Sequence, residues 1–248
     1  MAQIGYGYGS EWQLLRMLGH HRAYFFQELK KQLGLSSDSE IHWLDYGFDN
    51  SMISGDKEYK QREFFEVIPE IFTPEVMAEF EKDDFGEILN QNWDGIFWVG
   101  KTVYLVEAKA HTEEIKSDCG ATSKSSISEI DRCLEETRNS FNISSTNDWK
   151  KAYYQMANRI VFLYLLKKHN IEARLVNIYF VDGYEKKVVP PVSDKLYIIQ
   201  NKNASIEDWK KAIKKEEDYL GISNLINDKK IFSVFVNCKG VNGKLEVK

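Results

Sequence analysis

A short hairpin signal between residues 95 and 106 constrains the fold of this chain more than any other feature. Two apolar runs, 95–99 and 102–106, flank the dipeptide Gly100-Lys101. A glycine followed by any residue is typical of a tight two-residue turn, so the sequence predicts two adjacent antiparallel strands. Both faces of each run are apolar, which indicates a sheet that other elements cover on both sides.

The turn determines which residues of the two strands lie opposite each other. With Gly100 and Lys101 at the turn, paired residues have numbers that sum to 201, so Asp94 lies opposite Glu107. Opposed residues project to the same face of a sheet with Cβ atoms about 5 Å apart. Lys109, two residues after Glu107, projects to that face as well. The sequence therefore predicts three ionisable side chains at one end of an apolar hairpin.

Two opposed carboxylates repel each other, and the repulsion grows where water is scarce. A divalent cation offsets it, and the carboxylates of Asp94 and Glu107 with the carbonyl of Ala108 suit Mg²⁺ or Mn²⁺. Such an ion orients a water molecule and lowers its pKa, while Lys109 steadies the attacking hydroxide or the phosphate oxygens. The predicted chemistry is metal-dependent hydrolysis of phosphodiesters. The alternative is an ion-pair cluster of the same three side chains at the rim of the sheet.

The rest of the chain predicts an α/β protein. The predicted elements, in chain order, are a helix from residue 10 to about 34, a strand near 41–46, helices at 58–69 and 74–90, the hairpin, a short helix at about 127–141, a long helix from Asp148 to about 168, a strand at 175–181, a helix at 205–219 and a strand at 231–237. The succession of strand, long helix and strand implies a parallel crossover.

The spacing of the three ionisable residues resembles the motif of the PD-(D/E)XK nuclease superfamily. Asp94 is followed by twelve residues and then by Glu107-Ala108-Lys109, although Trp93 stands where the family motif has proline. That superfamily includes restriction endonucleases, junction resolvases and exonucleases. In it the Asp and the Glu hold the metal and the Lys assists hydrolysis, so the resemblance assigns these roles to Asp94, Glu107 and Lys109.

The resemblance also implies a fold. This is a restriction-endonuclease-like mixed β-sheet with an α-β-β-β-α-β core, flanked by helices and carrying helical insertions. The expected organisation is a single domain over residues 1–248, with a core at about 10–181, insertions at about 50–90 and 112–148, and a C-terminal extension at about 190–248.

Two further site residues follow from the resemblance. Many members place a Glu on the first helix near the metal and a Gln on the crossover helix, and Glu11 and Gln155 match these positions. Gln155 shares a helical face with Arg159, where both side chains can meet a phosphate. The alternatives are structural, because a Glu in a first helical turn is favoured by the helix dipole alone and Gln155 also fits a solvated face.

The leading functional prediction is a Mg²⁺- or Mn²⁺-dependent nuclease that acts on DNA rather than RNA. A net charge of −5 argues against a protein that holds nucleic acid tightly at all times. Residues 150–248, however, carry 19 Lys and Arg against 11 Asp and Glu, which fits a basic flank that grips phosphates or simply two differently charged surfaces. Two other functions stay open: a catalytically inactive nucleic-acid-binding or interaction module on the same fold, and a metal-assisted hydrolase of small phosphoesters.

The sequence also bears on location and partners. The longest apolar run, 160–166, is far shorter than the about 20 residues that span a bilayer, so no membrane partner is expected. The three cysteines are widely spaced, fitting neither a disulfide framework nor a zinc site, and the N-terminus lacks the pattern of a secretion signal. The expected location is the cytoplasm. Related nucleases often pair, so the resemblance allows a homodimer.

Overall fold

The computed structural model describes residues 9–45, 59–60, 64–80, 82–83, 91–182, 184–189, 197–202 and 204–238. Within these ranges the helices are α1 (Ser10–His20), α2 (Arg22–Leu33), α3 (Pro74–Phe80), α4 (Lys124–Ser140), α5 (Tyr154–Lys168), α6 (Ile206–Leu220) and α7 (Ser223–Asn227). The strands are β1 (His42–Trp43), β2 (Tyr59–Lys60), β3 (Asn92–Trp93), β4 (Gly95–Val99), β5 (Thr102–Lys109), β6 (Ala173–Val181), β7 (Tyr184–Val189), β8 (Tyr197–Lys202) and β9 (Ile231–Asn237).

Five of the described strands form one mixed sheet in the order β1-β4-β5-β6-β9. β4 runs antiparallel to both of its neighbours, β1 and β5. β5, β6 and β9 run parallel to one another. Gly95 pairs with Val106, which confirms the predicted turn at Gly100-Lys101. Gly100 has φ 59°, a left-handed conformation that glycine adopts without strain. The α/β class and the parallel crossover from β5 to β6 are confirmed.

The sheet is covered on both faces, as the apolar hairpin predicted. Leu105 packs in a core shared with α4, α5 and α6, whereas its neighbour Val106 packs against α1 and α2. Successive residues of a strand point to opposite faces, so Glu107 and Lys109 share the face of Leu105. The C-terminal end of β5 therefore directs both ionisable side chains towards α5 and α6.

The prediction of one continuous helix from residue 10 to about 34 is wrong, because the segment forms two helices, α1 and α2. His21 lies between α1 and α2 with φ −128°, outside helical geometry. Gly19 shortly before it lowers helix stability by about 1 kcal/mol relative to Ala. Arg22 then donates from Nε to the carbonyl of Leu18 (2.9 Å), which satisfies an acceptor that the end of α1 leaves open.

The long helix predicted to begin at Asp148 begins instead at Tyr154, so that boundary is also wrong. The backbone N of Ser117 donates to the carbonyl of Ala152 (2.7 Å), and the N of Ala152 donates to Asp118 Oδ1 (2.7 Å). These contacts hold the chain before α5 against the loop that follows β5. They join residues far apart in sequence, which no local pattern reveals, and they override the helical propensity of the segment.

The helices predicted within 50–90 and 112–148 differ from the structure where it describes these segments. The helix predicted at 58–69 is wrong, since 59–60 form β2 and Phe65–Val67 form a 3₁₀ helix. The helix predicted at 74–90 ends at Phe80, and residues 84–90 lie outside the described ranges. The short helix predicted at about 127–141 is α4, which begins earlier because the hydroxyl of Ser123 accepts a hydrogen bond from the N of Ser126.

One strand of the C-terminal part of the chain, β9, joins the five-stranded sheet, whereas β7 and β8 pair with each other in a separate two-stranded sheet. The helix predicted at 205–219 is α6 and the strand predicted at 231–237 is β9, which pairs in parallel with β6. The strand predicted at 175–181 is β6, two residues longer at its start. None of the helices in the described ranges has both the length and the apolarity to cross a bilayer.

Among the described strands β9 lies at one edge of the sheet, and a side chain of α2 binds its outer backbone groups. Phe235 N donates to Gln32 Oε1 (2.9 Å), and Gln32 Nε2 donates to the carbonyl of Phe235 (2.8 Å). The amide of Gln32 thereby takes the place of a neighbouring strand. Open edges invite pairing with other chains, so this contact protects the sheet at that position.

Gln32→Ala is expected to lower the free energy of unfolding by about 1–2 kcal/mol, because both backbone groups of Phe235 lose their partner. Urea denaturation measures the loss, and hydrogen exchange of the Phe235 amide locates it. Lys31→Ala is the matched control, since Lys31 is exposed on the same helix. Equal exchange of the Phe235 amide in the two variants would contradict the role given to Gln32.

Candidate functional site

The predicted cluster lies at the C-terminal end of β5. Glu107 and Lys109 are 5% and 9% exposed, and Asp94, immediately before β4, is half-buried. Gly95 pairs with Val106, and continuing this register by one residue brings Asp94 next to Glu107, as the sequence predicted. Asp94 Oδ2 accepts a hydrogen bond from the backbone N of Ala108 (2.7 Å). The structure therefore brings the three predicted residues together at the rim of the sheet.

The carboxylate of Glu107 is the centre of a buried network. Its Oε1 accepts hydrogen bonds from Lys109 Nζ (2.5 Å) and Gln155 Nε2 (2.8 Å), and its Oε2 accepts one from Arg159 Nε (2.8 Å). Gln155 Oε1 accepts a further hydrogen bond from Lys109 Nζ (2.9 Å). Gln155 and Arg159 thus lie one helical turn apart on α5 and both bind Glu107, which confirms that they are neighbours.

Arg159 also fixes the segment that leads into Asp94. Its Nη1 donates to Gln91 Oε1 (2.5 Å) and its Nη2 to the carbonyl of Asn92 (2.8 Å). The guanidinium lies 4.4 Å from the ring centroid of Trp93, a favourable cation–π distance. One side chain of α5 therefore ties Glu107 to the residues that immediately precede Asp94.

The electrostatics of the three predicted residues are coupled. Burial, followed by the charge of Glu107, raises the pKa of Asp94 to about 8. Burial also favours a higher pKa for Glu107, but the charges of Arg159 and Lys109 outweigh it and hold that pKa below its ordinary value. Burial lowers the pKa of Lys109, yet Glu107 and Asp94 more than compensate and raise it. At neutral pH Glu107 is a carboxylate and Lys109 an ammonium.

Sequence reasoning missed Glu216, a buried acid on α6 that is 2% exposed. Burial raises its pKa to about 8, with Lys109 partly opposing the shift. A signal for it existed, because Glu216 lies in the apolar stripe of α6 that also contains Trp209, Ile213 and Leu220. An acid in such a stripe faces the interior of the protein.

Glu114, in the 3₁₀ helix Thr112–Ile115, is a second acid that sequence reasoning missed. Its Oε1 accepts a hydrogen bond from His111 N (3.0 Å), and burial raises its pKa. The hydroxyl of Ser10 hydrogen-bonds to it, so the start of α1 lies at the same end of the sheet. Glu11 follows Ser10 in the first turn of α1, and its role as a metal ligand stays a prediction.

A small cavity separates β5 and β6 from α5 and α6. Its volume of about 10 Å³ is room for one water-sized group. Glu107, Lys109, Gln155 and Glu216 line it, together with Asn177, which pairs with Glu107 in the parallel register. Asn177 is the polar residue of the otherwise apolar stretch 175–181 and is 3% exposed, a signal that sequence reasoning also missed.

The oxygen donors of the site meet the needs of a divalent cation only in part. The described residues contain no group of three or more His, Cys, Asp or Glu side chains arranged to hold a metal ion. Mg²⁺, however, keeps several waters and needs only one or two carboxylates, and Asp94 and Glu107 supply two. Four acidic residues, Asp94, Glu107, Glu114 and Glu216, lie around the two cations Lys109 and Arg159. Asp94 and Glu216, with pKa values raised to about 8, are largely protonated at neutral pH, and a bound cation would favour their ionised forms.

The fold and the site together define an α/β protein with a mixed five-stranded sheet and a buried acid–base network at the end of its central strands. Comparison with protein-family models, with curated proteins and with solved structures gives no match to this chain.

Proposed function

We propose that the chain is a metal-dependent phosphodiesterase of the nuclease type, with DNA as its substrate. One observation carries the proposal: Asp94, bound to the backbone N of Ala108, and Glu107, bound to Lys109, lie at the same end of β5. The chain order of helices, three antiparallel strands, crossover helices and a parallel strand supports a restriction-endonuclease-like fold. That order is the one which the resemblance to the PD-(D/E)XK superfamily implies.

In this proposal Asp94 and Glu107 hold Mg²⁺ or Mn²⁺, with the carbonyl of Ala108 and, by resemblance, Glu11. A cation bound there lowers the pKa of a water molecule and offsets the charge that builds on a phosphate. Lys109 has a raised pKa and keeps its protons, so it donates hydrogen bonds to oxyanions and does not act as a base.

The remaining residues of the network position these groups. Arg159 holds Glu107 through Oε2, and Gln155 holds the Lys109 ammonium through its own Oε1. Such contacts fix the side chains before a substrate arrives, which lowers the cost of ordering them during the reaction.

A second candidate, a catalytically inactive nucleic-acid-binding or interaction module, is favoured by a different observation. Both carboxylate oxygens of Glu107 already accept hydrogen bonds from cationic side chains, Lys109 at Oε1 and Arg159 at Oε2. A buried acid paired in this way is satisfied without a metal ion. The two candidates therefore differ in whether a cation replaces part of this network.

Calorimetry with Mn²⁺ separates the two candidates. The enzyme is expected to bind Mn²⁺, and Asp94→Asn is expected to weaken binding by about 10–100-fold, because it removes one of the carboxylate ligands. The variant keeps an oxygen that accepts from Ala108 N, so the local fold is retained.

Asp38→Asn is the matched control for this titration, since Asp38 is an exposed acid outside the site. It is expected to leave Mn²⁺ binding unchanged. Absence of binding in the wild-type protein, or the same affinity in both variants, would favour the module.

A further inference from the structure

Glu216 is a buried carboxyl group that the proposed chemistry does not use. Its side chain reaches the cavity from α6. Only 2% of the residue is exposed. Among the described residues no group donates a hydrogen bond to its carboxyl oxygens, and its interactions with Lys109 and Glu107 are those of charge alone. Burying an acid without a donor is costly, so its position calls for a partner that arrives in another state of the site.

Lys109 is a cation that lines the same cavity as Glu216. Its ammonium has three protons, of which one goes to Glu107 Oε1 (2.5 Å) and one to Gln155 Oε1 (2.9 Å). Lys109 and Glu216 line the same cavity and already interact through their charges. The cavity has room for one water-sized group, and an ammonium group is of that size.

We propose that Lys109 has two acceptors, Glu107 when the site holds no cation and Glu216 when a divalent cation is bound. The inference rests on the proposed function, because the cation is the group that displaces the ammonium. Lys109 occupies the Oε1 of Glu107 that a metal ion uses, and two positive groups at one oxygen repel each other. After the exchange Glu107 pairs with the cation, and Glu216 loses its proton to solvent and pairs with Lys109, so both carboxylates have a positive partner.

The surrounding contacts favour such an exchange. Arg159 holds the other oxygen of Glu107, so the carboxylate keeps its orientation when Lys109 leaves. Gln155 is held at the start of α5, where its backbone N donates to Ser117 Oγ (2.7 Å), and its Oε1 remains an acceptor for the moving ammonium. Glu216 is in this view a positioning residue, which acts on the cation through Lys109.

A double-mutant cycle on Mn²⁺ affinity tests the inference by calorimetry, with Glu216→Gln, Lys109→Met and the two combined. Glu216→Gln is expected to weaken Mn²⁺ binding about tenfold when Lys109 is present and to have little effect in Lys109→Met. Glu217→Gln, on the same helix but half-exposed, is the control and is expected to leave the affinity unchanged. An effect of Glu216→Gln that is equal or larger in Lys109→Met shows direct action on the ion and overturns the proposal.

A second measurement needs no metal and so separates this inference from the proposed function. The measurement is a crystal structure of Glu107→Gln. The amide of this variant has no charge, so it mimics a Glu107 carboxylate whose charge a bound cation has neutralised. Lys109 Nζ is expected at hydrogen-bond distance from the carboxylate of Glu216. Lys109 still directed at position 107, with Glu216 unpaired, overturns the inference even if the wild-type protein binds Mn²⁺. If the single variant does not fold, the charge-balanced double variant Glu107→Gln with Arg159→Met takes its place.

Discussion

Arg159→Met is expected to lower the free energy of unfolding by about 3–5 kcal/mol, because it leaves a buried acid with half of its positive partners. In the wild-type protein the guanidinium donates to Glu107, to Gln91 and to the carbonyl of Asn92. Methionine fills a similar volume beside Trp93 but donates nothing. Urea denaturation of the two proteins at neutral pH measures the difference.

The loss is also expected to depend on pH. In the wild-type protein the pKa of Glu107 is held below its ordinary value, so its ionised form stabilises the fold above that value. This contribution disappears as the pH falls through the lowered pKa. In Arg159→Met only Lys109 opposes burial, so the pKa of Glu107 rises and protonation relieves the buried charge. The difference in unfolding free energy therefore narrows from neutral pH towards about pH 4.

Arg132→Met supplies the control for the stability measurement. Arg132 is on α4 and pairs with Glu136 at 3.0 Å, but both side chains are largely solvated. Exposed pairs of this kind contribute about 1 kcal/mol or less. A loss in Arg159→Met no larger than in this control, or one that does not change with pH, would show that the network around Glu107 does not hold the fold.

The hairpin could be predicted from sequence because the information that specifies it is local. A glycine at the turn sets which residues of the two strands lie opposite each other, which brings Asp94 next to Glu107. Side chains alternate in direction along a strand, which puts Lys109 on the same face. Gln155 and Arg159 were predicted as neighbours for a similar reason, since residues four apart share a helical face. That both bind Glu107 did not follow, because it depends on how α5 packs on the sheet.

The elements that could not be predicted depend on contacts between distant parts of the chain. α5 begins at Tyr154 because Ala152 pairs with Ser117, and the break at His21 separates two helices that pack on one face of the sheet. Glu216 reaches the site from a helix about a hundred residues beyond Lys109 along the chain. A single acid in an apolar stripe indicates burial, but the sequence does not name its partner.

The two proposed functions differ in whether the hydrogen bond from Lys109 Nζ to Glu107 Oε1 is kept or broken. An inactive module keeps Lys109 on Oε1 of Glu107, because that contact neutralises the buried acid. An enzyme needs the same oxygen for a cation, and Lys109 must then leave it. Arg159 stabilises Glu107 in both cases, so its replacement tests the fold and not the reaction. Lys109 is the residue whose replacement distinguishes the two.

Lys109→Met is expected to reduce cleavage of DNA by about 10²–10³-fold, because the site loses the ammonium that stabilises charge on the phosphate. Mn²⁺ binding is expected to become tighter in the same variant, since nothing competes for Oε1 of Glu107. These opposite changes are a signature that a damaged fold does not produce. Purified protein is incubated with single- and double-stranded DNA and RNA in Mg²⁺ or Mn²⁺, and product formation is followed with time.

Lys101→Met is the matched control for this assay, because Lys101 is an exposed lysine of the same hairpin, at the turn far from the site. It is expected to cleave at the wild-type rate. Cleavage that is equal in Lys109→Met and in the wild-type protein would assign the activity to a contaminant or to another site. Intact substrate under every condition, with Mn²⁺ bound by neither protein, would leave the ion-pair network as a structural element. The module would then be the better account of the chain, since a satisfied Glu107 needs no cation.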